Sequence, residues 1–339
     1  MPNVTGDRVV WAVLACGVIV LVAEPPTIAL LRRLAVLDLP EGRSSHSVPT
    51  PRGGGAPIAV GLPAAALIAP RTGGVAPAFA VAVGFFGLLG LADDLRGLSA
   101  VARLLLQAAG AVGVAALLLA RLPLPALTDA LAVAAAATWL VGFVNAFNFM
   151  DGVNGISGAH ALAGGVAYAC LAGSRHDGFC VAAGLALAAA AAAFLPWNAV
   201  RARVFLGDVG SYSIGAALAV LAIRLIADGV PAEAVAAPVA LYLADVCWTL
   251  QRRLRGGERL LEAHRTHIYQ RWCDAGWSHQ EVTVLTCALT VLLCLLTTAS
   301  VHGGVALRVA ADLAALAVLA TYLGSPALFS RARTEIGKA

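Results

Sequence analysis

Charge is what this sequence has least of. Only 12% of its 339 residues are Asp, Glu, Lys or Arg, against 60% hydrophobic, and the mean hydropathy is +0.84. A soluble chain of this length needs far more polar surface, so a soluble enzyme or binding module is excluded. Lysine is almost missing: Lys338 is the single one, and the rest of the positive charge is arginine. The formal net charge of +4 is modest, and nothing in it points to a nucleic-acid partner. The seven cysteines (Cys16, Cys170, Cys180, Cys247, Cys273, Cys287 and Cys294) form no CxxC pair and no regular framework. Most sit in apolar blocks, where a thiol packs as a small hydrophobe. An internal repeat is lacking too, as is any stretch long enough for a separate soluble domain. Residues 1–339 are therefore read as one polytopic membrane domain.

What is present is a series of long uncharged apolar blocks, which makes the bilayer the solvent for most of the chain. The expected fold is an all-α integral membrane protein of about 11 transmembrane helices. They are predicted over 9–31, 55–70, 76–92, 100–120, 129–147, 158–173, 177–195, 210–227, 232–250, 281–301 and 304–323. The second is short and contains proline, so a count of ten is the alternative. The first block is too long for a signal-peptide core and ends in Arg32-Arg33 rather than in small residues. With the N-terminus outside, 17 of the 23 Lys and Arg residues fall on the cytoplasmic side. That agrees with the positive-inside rule. The Ala-rich runs 132–137 and 188–193 are expected to pack helices tightly.

The same topology gathers every unusual polar cluster on the cytoplasmic face. Asp93-Asp94, in LADDLRG, follows an apolar span directly. Adjacent carboxylates at a membrane boundary are costly unless hydrated, paired or bound to a cation. Oxygen ligands of this kind suit Mg²⁺, and a solvated helix end with Arg96 as partner is the structural alternative. In NAFNFMDGVNGIS, Asn145, Asn148, Asp151 and Asn154 recur every three residues, which puts them near one face of a helix end. Gly152 and Gly155 let the backbone turn and approach a ligand. Asx capping explains one or two of these groups but not four. In PWNAVRARVFLGDVGSYSIG, Asp208 either N-caps the next helix or completes a Mg²⁺ site with Asp93 or Asp94. Asn198, Arg201 and Arg203 add donors for anionic oxygens.

Two further loops are basic. HRTHIYQR carries His264, Arg265, His267 and Arg271. Without a third Cys or His ligand nearby, phosphate or pyrophosphate binding fits it better than zinc. Attraction to anionic membrane lipid accounts for some of Arg252, Arg253, Arg255 and Arg259. LPEGRSSHSVPTPRGGG is a loop by composition, in which Arg43, His46 and Arg52 either serve phosphate or set topology. Asp245 stands apart inside the ninth span, with function or pairing to an arginine both open.

Taken in order, the DD pair, N-x-x-N-x-x-DG, F-x-GD-x-GS and the histidine loop resemble the polyprenyl-phosphate N-acetylhexosamine-1-phosphate transferase family. The resemblance runs from about residue 38 to 271. Its members include the enterobacterial-common-antigen initiating GlcNAc-1-phosphate transferase and phospho-N-acetylmuramoyl-pentapeptide transferase. It implies an enzyme of the bacterial inner membrane with its active site in cytoplasmic loops. A UDP-N-acetylhexosamine would give its sugar 1-phosphate to undecaprenyl phosphate, releasing UMP. Mg²⁺ is implied as cofactor, with Mn²⁺ as a substitute, and a homodimer is admitted. Asn154 stands where many members carry a second aspartate. HRTHIYQR is neither the triple-histidine form of the muramoyl-pentapeptide enzyme nor the H-x-HH form of GlcNAc transferases. It looks more like the subgroup that initiates O-antigen (lipopolysaccharide) synthesis, which argues against peptidoglycan synthesis.

What the resemblance implies for the residues is as follows. Asp208 and Asp94 would hold Mg²⁺, while Asp93 would orient or deprotonate the acceptor phosphate, with the roles of Asp93 and Asp94 interchangeable. Asn148 and Asp151 would contact the nucleotide or help hold the site, with Asn154 and Asn198 beside them. His264, Arg265 and His267 would hold the diphosphate or sugar, with Arg43 and His46 serving phosphate. The rival class is a multi-pass transporter. Transporters place ionisable groups near the midplane and often carry repeats, whereas these clusters lie at span ends on one side.

Overall fold

The computed structural model describes residues 4–39, 48–71, 74–120, 126–259 and 264–336. Among them the order is α1 (Val4–Arg33), β1 (Leu37–Asp38), β2 (Thr50–Pro51), α2 (Ala56–Ile68), α3 (Ala76–Arg96), α4 (Ala100–Leu119), α5 (Ala126–Phe149), α6 (Ile156–Gly173), α7 (Gly178–Asn198), α8 (Gly207–Ala227), α9 (Ala232–Arg255), α10 (Ile268–Asp274), α11 (His279–His302) and α12 (Val305–Ile336). Ten of these helices, all but α2 and α10, are long and apolar enough to cross a bilayer. The chain is an all-α integral membrane protein. Its β1–β2 ribbon only pairs Leu37 with Pro51 and Asp38 with Thr50, antiparallel. Arg43 and His46 lie outside the described residues.

The segment expected to span over 55–70 differs. Helix α2 has 13 residues, about 20 Å at 1.5 Å per residue, short of a hydrocarbon layer about 30 Å thick. The chain still changes side there. Gly55, just before α2, donates to Leu206 O at 2.8 Å, at the start of α8. Asp94, near the end of α3, accepts from the first turn of that same helix. Both ends of the α2–α3 hairpin therefore lie on one face, and the alternation of eleven traverses is kept by ten full spans and one short one. Helix α9 outruns its apolar stretch because Arg252, Arg253 and Arg255 in its last turn suit the negative end of the helix dipole.

Helix α8 is the centre of the bundle, buried along almost its whole length and flanked by α3 and α5. A helix that is small or apolar on all sides, with its charges, Asp208 and Arg224, confined to its two end turns, belongs there. Helices α6 and α7 approach through glycines: a Cβ on Gly165 or on Gly184 would sit 2.6 Å from the other's carbonyl oxygen. Ala188, Ala190 and Ala191 are buried in the same part of α7. The run 132–137 differs, since only Ala136 and Ala137 are buried and the rest is half-buried or faces outward. On the far face Arg224 bridges Asp177 at 3.1 Å and Asp228 at 2.8 Å, and Arg308 pairs with Glu233.

Candidate active site

The site is built where the end of α3 meets the start of α8. Leu206 precedes α8 and offers no side-chain cap of its own. Asp94 supplies one from 114 residues earlier: Oδ1 accepts from Asp208 N and Oδ2 from Val209 N, both at 2.9 Å. A carboxylate at a helix N-terminus satisfies unpaired N–H groups and the helix dipole together. Gly207 makes this approach possible. Its φ of +74° is left-handed, and a Cβ there would lie 2.6 Å from Asp94 Oδ2. The Asp94 side chain is only 1% exposed.

The strap before α2 closes the site from the other side. Gly53 N and Gly54 N donate to Phe205 O at 3.1 and 2.9 Å. This seats Arg52 so that Nε reaches Asp94 Oδ1 at 2.7 Å and Nη2 reaches Asp208 Oδ1 at 2.8 Å. One guanidinium thus ties both carboxylates with its planar fork. Burial disfavours its charge, but Asp208 and Asp94 outweigh that and hold Arg52 above the ordinary arginine value.

Asp208 Oδ1 also accepts from Asn148 Nδ2 at 2.8 Å, and Asn148 bonds Ser211 Oγ at 2.9 Å. The Asp208 carboxyl also lies within hydrogen-bond reach of that of Asp93. Asp93 in turn accepts from Leu98 N at 2.9 Å, Arg103 Nη1 at 3.1 Å and Tyr212 Oη at 3.1 Å. Asp151 is half-buried within electrostatic reach of Asp208 and Arg52.

Four carboxylates (Asp93, Asp94, Asp151 and Asp208) therefore face two guanidiniums (Arg52 and Arg103). Such a centre repels phosphates unless a further cation joins it. Asp93 and Asp208, two like-charged carboxyls in contact, are the pair that a hard divalent cation relieves. Among the described residues no three His, Cys, Asp or Glu side chains converge in a metal-holding group. Mg²⁺ takes one or two carboxylates and completes its shell with water and phosphate oxygens. Asp94, expected as a ligand, carries three donors on its two oxygens, as Asp93 does, and differs from it in capping α8.

The other expected residues divide. Asn148 is in the centre. Asn145 instead turns to α4, donating to Gln107 Oε1 at 2.6 Å. Asn198 is a clip rather than an anion donor: it accepts from Gly155 N at 2.7 Å and donates to Val204 O at 3.0 Å. Asn154 joins α11, its backbone N–H reaching His279 Nδ1 at 3.4 Å and its carbonyl accepting from Thr283 at 2.8 Å. His264 and His267 lie together, ring centroids 5.0 Å apart, with Phe149 beside both. Tyr269 ties this loop to the end of α5, donating to Phe149 O at 3.0 Å. Arg265 pairs with Asp274 at 3.2 Å, and Arg203 lies 5.6 Å over the Trp197 ring. Sequence reasoning did not find Arg103, Tyr212 or Ser211. The last two stand inside the GDVGSYS stretch, where hydroxyls one turn past the aspartate were the available signal.

The family model described as glycosyl transferase family 4 matches residues 76–226, a window containing Asp93, Asp94, Asn148, Asp151 and Asp208. The chain is 26% identical over 289 residues to the probable undecaprenyl-phosphate N-acetylglucosaminyl 1-phosphate transferase of Bacillus subtilis, covering 80% of this chain and 79% of that one. It is 29% identical over 301 residues to the decaprenyl-phosphate N-acetylglucosaminephosphotransferase of Mycobacterium leprae, covering 76% and 74%. It is also 29% identical over 310 residues to the phospho-N-acetylmuramoyl-pentapeptide-transferase of Moorella thermoacetica, covering 82% and 94%.

Proposed function

We propose that this chain, whose residues 76–226 match the model of glycosyl transferase family 4, transfers an N-acetylhexosamine 1-phosphate from a UDP-sugar to undecaprenyl phosphate. An acceptor phosphate oxygen forms a bond to the sugar-linked phosphorus, the bond between the two donor phosphates breaks, and UMP leaves. The observation that carries this reading is the one-sided centre in which Asp93, Asp94, Asp151 and Asp208 meet Arg52 and Arg103. Transport offers no reason for that convergence at helix ends. The arginine bias toward the same face supports a cytoplasmic site in a bacterial inner membrane, where nucleotide sugars are. The HRTHIYQR loop supports a donor of the O-antigen-initiating type.

Phosphoryl transfer is largely positioning and charge stabilisation, and these residues do both. We assign Asp208 and Asp93 to Mg²⁺, which when bound would neutralise diphosphate charge. Arg52 and Asn148 hold the Asp208 carboxylate in place. Asp94 aligns α8, and with it Asp208, against α3. Arg103 and Tyr212 fix Asp93, while Asp151 stands toward the nucleotide. The acceptor phosphate already carries anionic oxygens, so its activation needs no strong base.

Purified protein with undecaprenyl phosphate, Mg²⁺ and a panel of UDP-amino sugars, assayed for UMP, tests the reading. Release is expected with one of the donors, to stop with chelator and to return with Mg²⁺; silence with every donor overturns it. The pH dependence is a second check. Burial first, then the Asp208 carboxylate, push Asp151 from 3.8 up to about 6. A raised acid value means the folded chain holds its proton longer than the unfolded one. The stability this contributes is full below 3.8 and is lost as pH rises through about 6. Activity that needs the ionised form should climb over the same interval. Asp151→Asn should flatten that limb of the UMP-release profile, and an unchanged limb would remove Asp151 from the site.

A further inference from the structure

Asp245 is fully buried in α9, and no arginine meets it in the described contacts. It gathers donors from its own helix, from α12 and from the start of α10. Thr249 Oγ1, one turn on, reaches Oδ1 at 3.1 Å, and Tyr322 Oη from α12 reaches Oδ2 at 2.6 Å. Two backbone N–H groups opening α10, Ile268 and Tyr269, lie at 3.1 and 3.4 Å. His267 Nδ1 lies 3.0 Å from Oδ1. The carboxylate can only accept, so Nδ1 is the protonated nitrogen of that ring. Among the described residues nothing bonds Nε2. The same carboxylate caps α10, so the ring's position and its tautomer are set together.

The last span is built into this arrangement. Trp272 of α10 donates to Ser325 Oγ at 2.8 Å, and its ring meets Tyr322 edge-on at 5.2 Å. Helix α12, only sparsely buried over 305–327, reaches this arrangement through Tyr322 and Ser325, three residues apart on one face.

We infer that Asp245 is a positioning residue for the transfer reaction: with Tyr322 it holds His267 in the Nδ1-protonated form, so that Nε2 turns its lone pair to a proton donor of the substrate, a sugar hydroxyl or amide N–H. This rests on the transfer reading above. An asparagine of the same shape can turn its amide N–H toward Nδ1 and favour the opposite tautomer, which a purely space-filling role would not notice. A partner that fixes the orientation and tautomer of a functional histidine is worth about 10–100-fold in activity.

The test is a double-mutant cycle on the full chain in detergent or nanodiscs, read as kcat for UMP release. Asp245→Asn should lose about 10–100-fold alone, and nothing further in a His267→Ala background. Should Asp245→Asn fail to fold, Tyr322→Phe carries the cycle, with a loss of about 3–10-fold that vanishes in the same background. Losses that multiply in both cycles overturn this inference and leave the transfer reading standing. A wild-type chain inert with every donor overturns both.

Discussion

Asp208→Asn should lower UMP release by about 1,000-fold while leaving the folded protein at least as heat-stable as wild type. The two halves of this expectation have one cause. Asp208 meets Asp93 carboxyl to carboxyl, an arrangement that costs folding energy and persists where charge is needed for chemistry. Neutralising one member relieves the repulsion and at the same time removes the oxygen pair assigned to Mg²⁺. Arg52 keeps its bond to Asp94 at 2.7 Å, so the strap stays seated. Asp94→Asn makes the contrast. It removes the charge that caps α8, and should cost about 1–3 kcal/mol of stability with its activity loss following from misplacement. Turnover and melting temperature of the two variants, measured together with Mg²⁺ titrations, separate the roles. Near-normal turnover and Mg²⁺ dependence in Asp208→Asn would sink the assignment.

That contrast also marks where sequence reading stops. Long apolar blocks fixed the spans, because bilayer thickness leaves few ways to place them. The clusters fell on one face for the same reason, helix parity alone deciding it. The division of labour between Asp93 and Asp94 was not legible. Neighbours on a helix point about 100° apart, and which one meets the α8 terminus depends on packing across 114 residues. Asn198 looked like an anion donor by composition, yet both ends of its amide are spent on the backbone of two loops. Asp245 could be flagged as buried charge but not assigned. Its partners His267 and Tyr322 lie 22 and 77 residues away, in segments whose docking no local pattern records. Helix α2 was suspect for its proline and short run, and at 13 residues it is shorter than each of the ten helices able to cross a bilayer.

The second large effect comes from residues that carry no chemistry. The first turn of α8 is clamped between α3 and the strap, and glycine sits at both contacts. A Cβ on Gly90 would lie 2.2 Å from Asp208 O and 2.6 Å from Val209 N. One on Gly55 would lie 2.1 Å from Gly210 Cα and 2.5 Å from its N. These neighbours are backbone, held by the Asp94 cap, and cannot rotate aside as a side chain would. Gly84, on the same helix as Gly90, is the internal control: a Cβ there would meet no described atom within 4 Å. Gly84→Ala should gain up to about 1 kcal/mol from helix propensity. Gly90→Ala starts with the same gain, but overpacking of about 1–3 kcal/mol or more outweighs it, and so the two substitutions should move the melting temperature in opposite directions. The chemical effect is larger. The clash can be relieved only by moving Asp208 away from Asp93, and a misplacement of about 1 Å costs about 100-fold in rate. Gly55→Ala should behave like Gly90→Ala from the opposite side, separating Arg52 from Asp208. UMP release and melting curves on the three variants decide the matter. If Gly90→Ala is as stable and active as Gly84→Ala, the clamp does not set the position of Asp208.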